Sequence, residues 1–533
     1  MTSESSTGIT MFGAKWCSDC RRTKSQLDGF GIDYTYVDLE ADPAAADVAR
    51  EISGMQIPVV LYPDATHQGD APDRGSRPGR IDPGVLQERP GERHTMRISV
   101  IGCGYLGAVH AAAMAELGHE VIGIDVDSTK IEALTRGDAP FFEPGLPELL
   151  RKAVASGRLS FSTDIAQAHG AALHFIAVGT PQLKGSYAAD LTYVYAAIQN
   201  LLPHLNAGDI VVGKSTVPVG TAAALAAKLA EHGSGAILAW NPEFLREGFA
   251  VQDSLAPDRL VFGLPPEAAP AACAEAILRD AYTIAIAADT PVVVTDYATS
   301  ELVKVSANAF LATKISFINA MAEIAEATGA DVTQLADAIG FDMRIGRRFL
   351  GAGVGFGGGC LPKDIRAFTA RAEELGRGES VAFLKEVDAI NLRRRQRVVD
   401  LVVDALDGAP NGRRVAVLGL AFKPHSDDVR DSPALEVAVR LKGLGVDVRV
   451  TDPEAIENAR RLHPQLDYRI ELNDALEGAD AVVLVTEWDE YRYLDPHEIG
   501  TLVSAKNLID GRNSYVPAEW RAAGWSYRGM GRP

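Results

Sequence analysis

Short apolar runs recur along this chain, most ending at turn-forming residues and followed by a stretch of helical spacing. Arg97-Ile98-Ser99-Val100-Ile101, Val121 to Ile124, Leu173 to Val178, Ile210 to Gly213 and Ala236 to Trp240 form one set. Runs of this length, rich in Val and Ile, predict buried strands of an open parallel sheet with helices between them. A second set follows at Arg413 to Leu420, Val446 to Val450, Ala481 to Val485 and Leu508 to Asn513. Between the sets, Asp296 to Ala330 has few breakers and predicts one long helix, with further helices through Arg397. Ahead of both, Ile9 to Gly13, Tyr34 to Leu39 and Ile57 to Tyr62 read as strands. Arg21–Leu27 and Asp42–Ile52 can be helical between them. From Pro63 to Arg93 the chain is rich in Pro, Gly, Asp and Arg and reads as a linker. The pattern predicts an α/β protein in four parts: a small domain with its linker over 1–92, a sheet domain over 96–290, a helical segment over 291–400 and a second sheet domain over 411–533.

Composition narrows the class. The formal charge of −19 argues against nucleic acid or an anionic membrane as a general partner. No apolar run reaches the ~18 residues that cross a bilayer, and Met1 to Thr10 is too polar for a signal peptide. Five cysteines in 533 residues make no disulfide framework. The expectation is a cytoplasmic protein with reduced thiols.

The candidate chemistry sits at turns. Gly102-Cys103-Gly104-Tyr105-Leu106-Gly107 links a strand to a helix, and Asp125 ends the next strand. In that context the glycines fit a dinucleotide pyrophosphate on a helix N-terminus. Asp125 would accept from the ribose hydroxyls and repel a 2′-phosphate, so NAD is expected over NADP. Cys103 is a filler. The strands ending at Gly179-Thr180-Pro181, at Lys214-Ser215-Thr216 and at Asn241-Pro242-Glu243-Phe244-Leu245-Arg246-Glu247-Gly248 bring three loops to one crevice. The spacing of Glu243 and Glu247 predicts a shared helix face; solvated first-turn carboxylates are the plainer alternative. Lys304 and Asn308, four apart on the long helix, share a face, though a snorkelling surface lysine would look the same. Cys360 closes the glycine-rich run Gly355-Phe356-Gly357-Gly358-Gly359 and precedes Lys363 and Asp364. Alone it reads as a small hydrophobe; beside positive charge a lowered pKa would make it a nucleophile. Lys423 and Arg512, at strand ends of the second sheet, are candidates for a nucleotide's phosphates and sugar. In the first segment Cys17-Ser18-Asp19-Cys20 opens a helix, which favours a redox pair over zinc, since zinc wants four ligands.

The first segment resembles the glutaredoxin-like proteins through Trp16-Cys17-Ser18-Asp19-Cys20 and Ile57-Pro58-Val59. The resemblance implies a thioredoxin-like fold, Cys17 as attacking thiol, Cys20 as resolving thiol, and a low-molecular-weight thiol as partner. Residues 96–533 resemble the UDP-glucose 6-dehydrogenase family. The match rests on the glycine fingerprint with Asp125, Lys214-Ser215-Thr216, Asn241 to Glu247, Lys304 with Asn308, Cys360-Leu361-Pro362-Lys363-Asp364, Ala421-Phe422-Lys423 and Asp510-Gly511-Arg512. It implies two Rossmann-like domains joined by the helical segment, and oxidation of a sugar C6 alcohol by two NAD to a uronic acid. By that resemblance Cys360 carries a thiohemiacetal and a thioester, Lys304 and Asn308 steady the oxyanion, Asp364 and Thr216 partner the hydrolytic water, and Glu243 is the base. Lys130, Thr180, Thr216, Glu247, Lys363 and Arg430 would line the NAD side. Glu243, Phe244, Arg344, Gly357, Phe422, Lys423 and Arg512 would hold UDP-glucose, Arg344 in its own or a neighbouring subunit of a homodimer or larger homo-oligomer. No metal is implied. The alternatives are a GDP-mannose 6-dehydrogenase, whose cysteine loop is nearly the same, and a non-catalytic redox or NAD sensor.

Overall fold

A computed structural model describes residues 9–13, 34–38, 59–61, 67–69 and 95–533. It falls into two compact units, residues 1–90 and 91–533. In the first, β1 (Ile9–Gly13), β2 (Tyr34–Asp38), β3 (Val59–Leu61) and β4 (His67–Gly69) form a sheet in the order β2-β1-β3-β4. β1 runs parallel to β2, and β3 is antiparallel to both β1 and β4. β4 lies inside the stretch read as linker, so the sheet extends further than the Pro and Gly content suggests. Cys17, Cys20 and Pro58 lie outside the described residues.

The second unit holds two parallel sheets. The first contains β5 (Arg97–Ile101), β6 (Glu120–Ile124), β7 (Leu159–Ser162), β8 (Leu173–Ile176), β9 (Ile210–Gly213), β10 (Ile237–Trp240), β11 (Leu260–Leu264) and β12 (Val292–Asp296). Their order is β12-β11-β10-β9-β8-β5-β6-β7, all parallel except β10 against β11. The order reverses at β5, where β8 and β6 flank it, and that is where a doubly wound sheet opens a crevice. β12 belongs to this sheet, so the sheet takes in residues 292–296, which the apolar pattern assigned to the helical segment. Its valines are half-exposed on an edge, which hides the strand from a burial-based pattern.

Two helices matter first: α1 (Tyr105–Glu116) opens at the glycine fingerprint, and α2 (Tyr297–Thr328) is the long helix. The Asp296 carboxylate accepts from the Thr299 N–H at one end of α2, and Gly329, at φ 74°, closes the other. α3 (Leu361–Glu374) and α4 (Phe383–Ala405) pack on α2 through Ala309, Ala312, Ile365, Leu384 and Val387, all buried with Phe356.

The second sheet contains β13 (Arg414–Leu418), β14 (Asp447–Thr451), β15 (Asp467–Tyr468), β16 (Ala481–Leu484), β17 (Asn507–Asp510) and β18 (Ser526–Gly529). Their order is β15-β14-β13-β16-β17-β18. α5 (Pro433–Gly443) begins well after β13 ends, and the loop between them extends to the site described next.

Candidate active site

Cys360 stands at the N-terminus of α3, and the loop before it is held by side chains from two directions. Asn319 of α2 accepts from the Gly353 N–H at 2.9 Å, and Asn391 of α4 brackets Phe356, accepting from its N–H and donating to its carbonyl. From the second sheet, Arg512 donates to the Gly355 carbonyl at 2.9 Å and the Arg430 carbonyl accepts from Gly358. Gly358 sits at φ +84°, and a Cβ there would lie 2.8 Å from the Phe422 ring. The glycines therefore let the loop press against Phe422 rather than leave it loose.

Around the sulfur the charges are mixed. Asp364, one turn along α3, is buried and accepts from Asn308 Nδ2 at 2.6 Å and from the Lys363 ammonium. Lys304, one turn before Asn308 on α2, is buried and pairs with Glu243 at 3.0 Å. Burial works to lower the Lys304 pKa, but Glu243, Cys360 and Asp364 outweigh it and raise it, so the ammonium stays charged. Burial works to raise the Glu243 pKa; Lys304, a 2.7 Å bond from the Leu245 N–H and the more distant Lys214 bring it below its usual range. Cys360 keeps an exposed face. The dense surroundings, with Glu243 and Asp364, nevertheless push its thiol up to about 12 against the pull of Lys304. The expected lowered pKa is thus not found: burial, with two carboxylates against one ammonium, outweighs the pull of Lys304, and the resting group is a thiol.

Glu243 and Glu247 do not share a helix face, because residues 241–246 are irregular and the next helix begins at Ala250. Glu243 turns to Lys304. Glu247 turns to the second sheet's loop, where Ser426 donates to it at 3.1 Å, Arg430 lies 3.4 Å away and Lys423 donates to its carbonyl at 2.6 Å. Burial and the neighbouring Asp428 push its carboxyl up to about 7. Arg512, expected on a phosphate, spends its guanidinium on the carbonyls of Val485, Gly355 and Phe422. It organises three loops. Arg344 does not join the cluster; it is 89% exposed and pairs with Asp342. Phe244 lies under two cations, Arg259 at 3.8 Å and Lys304 at 5.6 Å from the ring centre.

The crevice at β5 fits a dinucleotide. A Cβ on Gly107 would stand 1.7 Å from the Gly102 carbonyl, so the third glycine is needed for helix and strand to meet. Gly104, which opens α1, has nothing within 4 Å of such a Cβ, leaving its face free for a pyrophosphate. Asp125 accepts from the Cys103 N–H at 2.8 Å and from Lys130 at 3.0 Å, which brings both beside the glycine turn. Cys103 is wholly buried and its thiol is pushed far up, as befits a filler. Thr180 donates to the Thr216 carbonyl at 2.8 Å, tying the loops after β8 and β9 together.

Family models match in the same three segments that this geometry separates. Residues 96–284 match the NAD-binding domain of the UDP-glucose/GDP-mannose dehydrogenases, 298–393 their central domain and 416–517 their UDP-binding domain. The UDP-glucose 6-dehydrogenase of Rhizobium meliloti is 42% identical over 82% of this chain and all of its own length. The chain belongs to the UDP-glucose/GDP-mannose dehydrogenase family. Residues 9–65 match glutaredoxin in addition. UDP-glucose 6-dehydrogenase TuaD of Bacillus subtilis is 41% identical, covering 82% of this chain and 93% of its own. Among solved structures, a UDP-glucose dehydrogenase from Pyrobaculum islandicum superposes with a TM-score of 0.76 at 40% identity, covering 84% of this chain and 100% of its own. A UDP-D-ManNAc dehydrogenase from Pyrococcus horikoshii follows at 0.71 and 28%, covering 82% and 99%. Among the described residues no helix is long and apolar enough to cross a membrane.

Three polar groups of this family member support the site without having been singled out as site residues from sequence. Lys214 is buried; it and Tyr282 both donate to Asn241 Oδ1, at 2.9 and 2.8 Å. Burial, partly offset by Glu243, brings its pKa down to about 7. Glu143 accepts from Tyr105 and from the Gly248 and Ala250 N–H groups, joining the start of α1 to the Glu247 turn. Glu301, on α2, accepts from Gly220 and Ala222 N–H at 2.7 Å each. Lys214 stood in a quoted motif, but nothing in its neighbours marks a buried lysine. The backbone partners of Glu143 and Glu301 lie some 80 or more residues away in the chain, and Tyr105 lies 38 residues from Glu143.

Proposed function

We propose that this chain oxidises the C6 alcohol of UDP-glucose to the carboxylate of UDP-glucuronate, in two NAD-dependent steps joined by a covalent bond to Cys360. The observation that carries the proposal is the convergence of Lys304, Glu243 and Asp364 on one exposed cysteine. Held at the glycine fingerprint, NAD would accept a hydride from C6 in each oxidation, and the C6 hydroxyl proton of the first would pass to a neighbouring carboxylate. The aldehyde formed first meets the Cys360 thiol: the S–C bond forms, the thiol proton passes to a neighbouring carboxylate, and Lys304 and Asn308 meet the oxygen as it gains charge. The second oxidation leaves a thioester. Water held by Asp364 and Thr216 attacks it, with Glu243 taking the proton. Phe422, Lys423 and the loops organised by Arg512 supply the walls for the nucleotide sugar.

UDP-glucose is preferred because relatives of that name reach 40–42% identity over nearly their whole length, against 28% for the UDP-ManNAc enzyme. The test is to offer UDP-glucose, UDP-ManNAc and GDP-mannose separately with NAD and follow NADH. Two NADH per UDP-glucose with no free aldehyde supports the proposal; preference for another sugar, or one NADH per sugar, sinks it. A sensor would form no NADH with any of the three.

Phe310, Phe317 and Ile324 repeat every seven residues on the exposed face of α2; Phe341, Met343 and Ile345 are exposed as well, and Lys314 of α2 donates to the Ile345 carbonyl. This face pairs with a second copy, and Arg344, between Met343 and Ile345, reaches the partner's crevice. Phe317→Glu should yield monomers in sedimentation; unchanged mass refutes the pairing. In the first unit, Cys17 and Cys20 exchange with a low-molecular-weight thiol and return an oxidised Cys360 to the thiol. Cys17→Ser should slow recovery of activity after peroxide and thiol treatment; equal recovery refutes this role.

A further inference from the structure

Two adjoining cavities run from the catalytic carboxylate to the protein surface. The inner one is lined by the polar groups of Asp364, Lys363, Thr216, Thr180 and Gln182 together with Val217, Val305 and Phe368. It offers about 20 Å³, just above the ~10–15 Å³ that one water requires. The outer one, about 280 Å³, opens at the exposed Ala224 and Glu374. Ala189, Pro218, Ala367 and Arg371 stand in the walls of both and form the neck. Asp364, Ala367 and Arg371 follow one another along a single face of α3, so the passage tracks the helix that begins at Cys360. The opposite wall is the loop after β9, and it is pinned on two sides. Glu301 grips its Gly220 and Ala222 N–H groups, and Arg371 donates to its Val219 carbonyl at 3.0 Å while pairing with Glu374 at 2.7 Å.

We infer that this passage is the route by which water reaches the thioester. The inference rests on the covalent reading above. While an acyl group is bonded to Sγ, hydrolysis still consumes one water per turnover. Water arriving through the neck emerges beside Asp364 and Thr216. Its oxygen bonds the acyl carbon, and the C–S electron pair returns to Sγ. One water proton passes to Sγ through Glu243, and the other is released as the new carboxylic acid ionises. Polar groups along both cavities, from Asp364 and Thr216 through Arg371 to Thr221 and Glu374, offer a passing water the hydrogen-bond partners it needs. Arg371, anchored at the neck, is a positioning residue for that opening.

The test narrows the neck from each side. Ala367→Leu and Ala189→Leu, each mixed with UDP-glucose and excess NAD, should keep a first burst of two NADH per site. Steady-state NADH formation should then fall at least ~10-fold, and acid-quenched protein should carry the mass of the bound acyl sugar nucleotide. Asp364→Asn should accumulate that adduct by the covalent reading alone. An adduct there, with none in either leucine variant, overturns the water route and spares the chemistry. No adduct in Asp364→Asn overturns the covalent reading itself. A raised KM for NAD with hydrolysis unchanged assigns the inner cavity to the cofactor and overturns the route. Loss of the burst in both leucine variants does so as well.

Discussion

After β5 and after β13 the chain makes the same turn with opposite results. Gly102 at φ +92° and Gly419 at φ +105° both swing the backbone away, and a carboxylate beside each turn accepts its next N–H. In the first sheet Asp125 takes only the Cys103 amide of the turn; Gly104 stays open and α1 starts at once. In the second, Asp452 takes both Leu420 and Ala421, then Glu454 and Ala455, and the Trp488 indole. Its turn has no amide left for a phosphate, and the following helix is delayed to Pro433. The intervening loop instead carries Phe422, Lys423, Ser426, Asp428 and Arg430 into the site. One strand-turn pattern thus yields a cofactor cradle when its amides are left open, and an arm of the active site when a buried aspartate closes them.

The seam between the two sheets should show the largest effect. Lys304→Ala should lower kcat by ~10²–10³-fold while KM for UDP-glucose stays within about threefold, since the ammonium serves charge that develops during reaction. Loss in KM alone would make it a binding contact. Next comes Asp452→Ala, which strands three buried amides, a part-buried one at Glu454 and an indole, and should cost about 3 kcal/mol or more in urea unfolding. If stability held and NAD binding suffered instead, the two turns would not differ as described. Asp125→Ala should do the reverse, weakening NAD about tenfold and narrowing its preference over NADP, with a stability loss nearer 1 kcal/mol.

The smallest effect concerns pH. Burial raises Glu301 to about 7, above the ~4.3 of an unfolded glutamate. Between those values the folded state holds the extra proton, so this group makes stability fall as pH rises from about 4.5 to 7, and adds no slope beyond. Glu301→Gln should flatten that part of the curve in thermal melts at stepped pH. An unchanged slope would mean that the carboxylate is already ionised when it grips Gly220 and Ala222.

Much of the fold was legible because its central strands are buried on both faces and their apolar runs stand out. β4, β7, β12, β15 and β18 were not, being short, polar or at an edge, and β11 went unread although its apolar run is buried. The length of α2 was legible from its lack of breakers. In the site, the glycine fingerprint, Lys304, Asn308, Cys360 and Asp364 were marked by spacing and family motif. Their protonation was not: the cysteine environment depends on how many carboxylates approach it, and Glu243 arrives from another domain.

By itself the amino-acid order determined the periodicities, the places where only glycine fits, and which chemical groups each loop offers. Those are local properties, set by backbone sterics and by residues near in the chain. Tertiary structure alone decided that Arg512 braces carbonyls, that Glu243 and Glu247 part company, and that the thiol rests protonated. Each of these is a balance of desolvation and charge among groups distant in sequence, and that balance exists only once the sheets and α2 have brought them within a few ångströms.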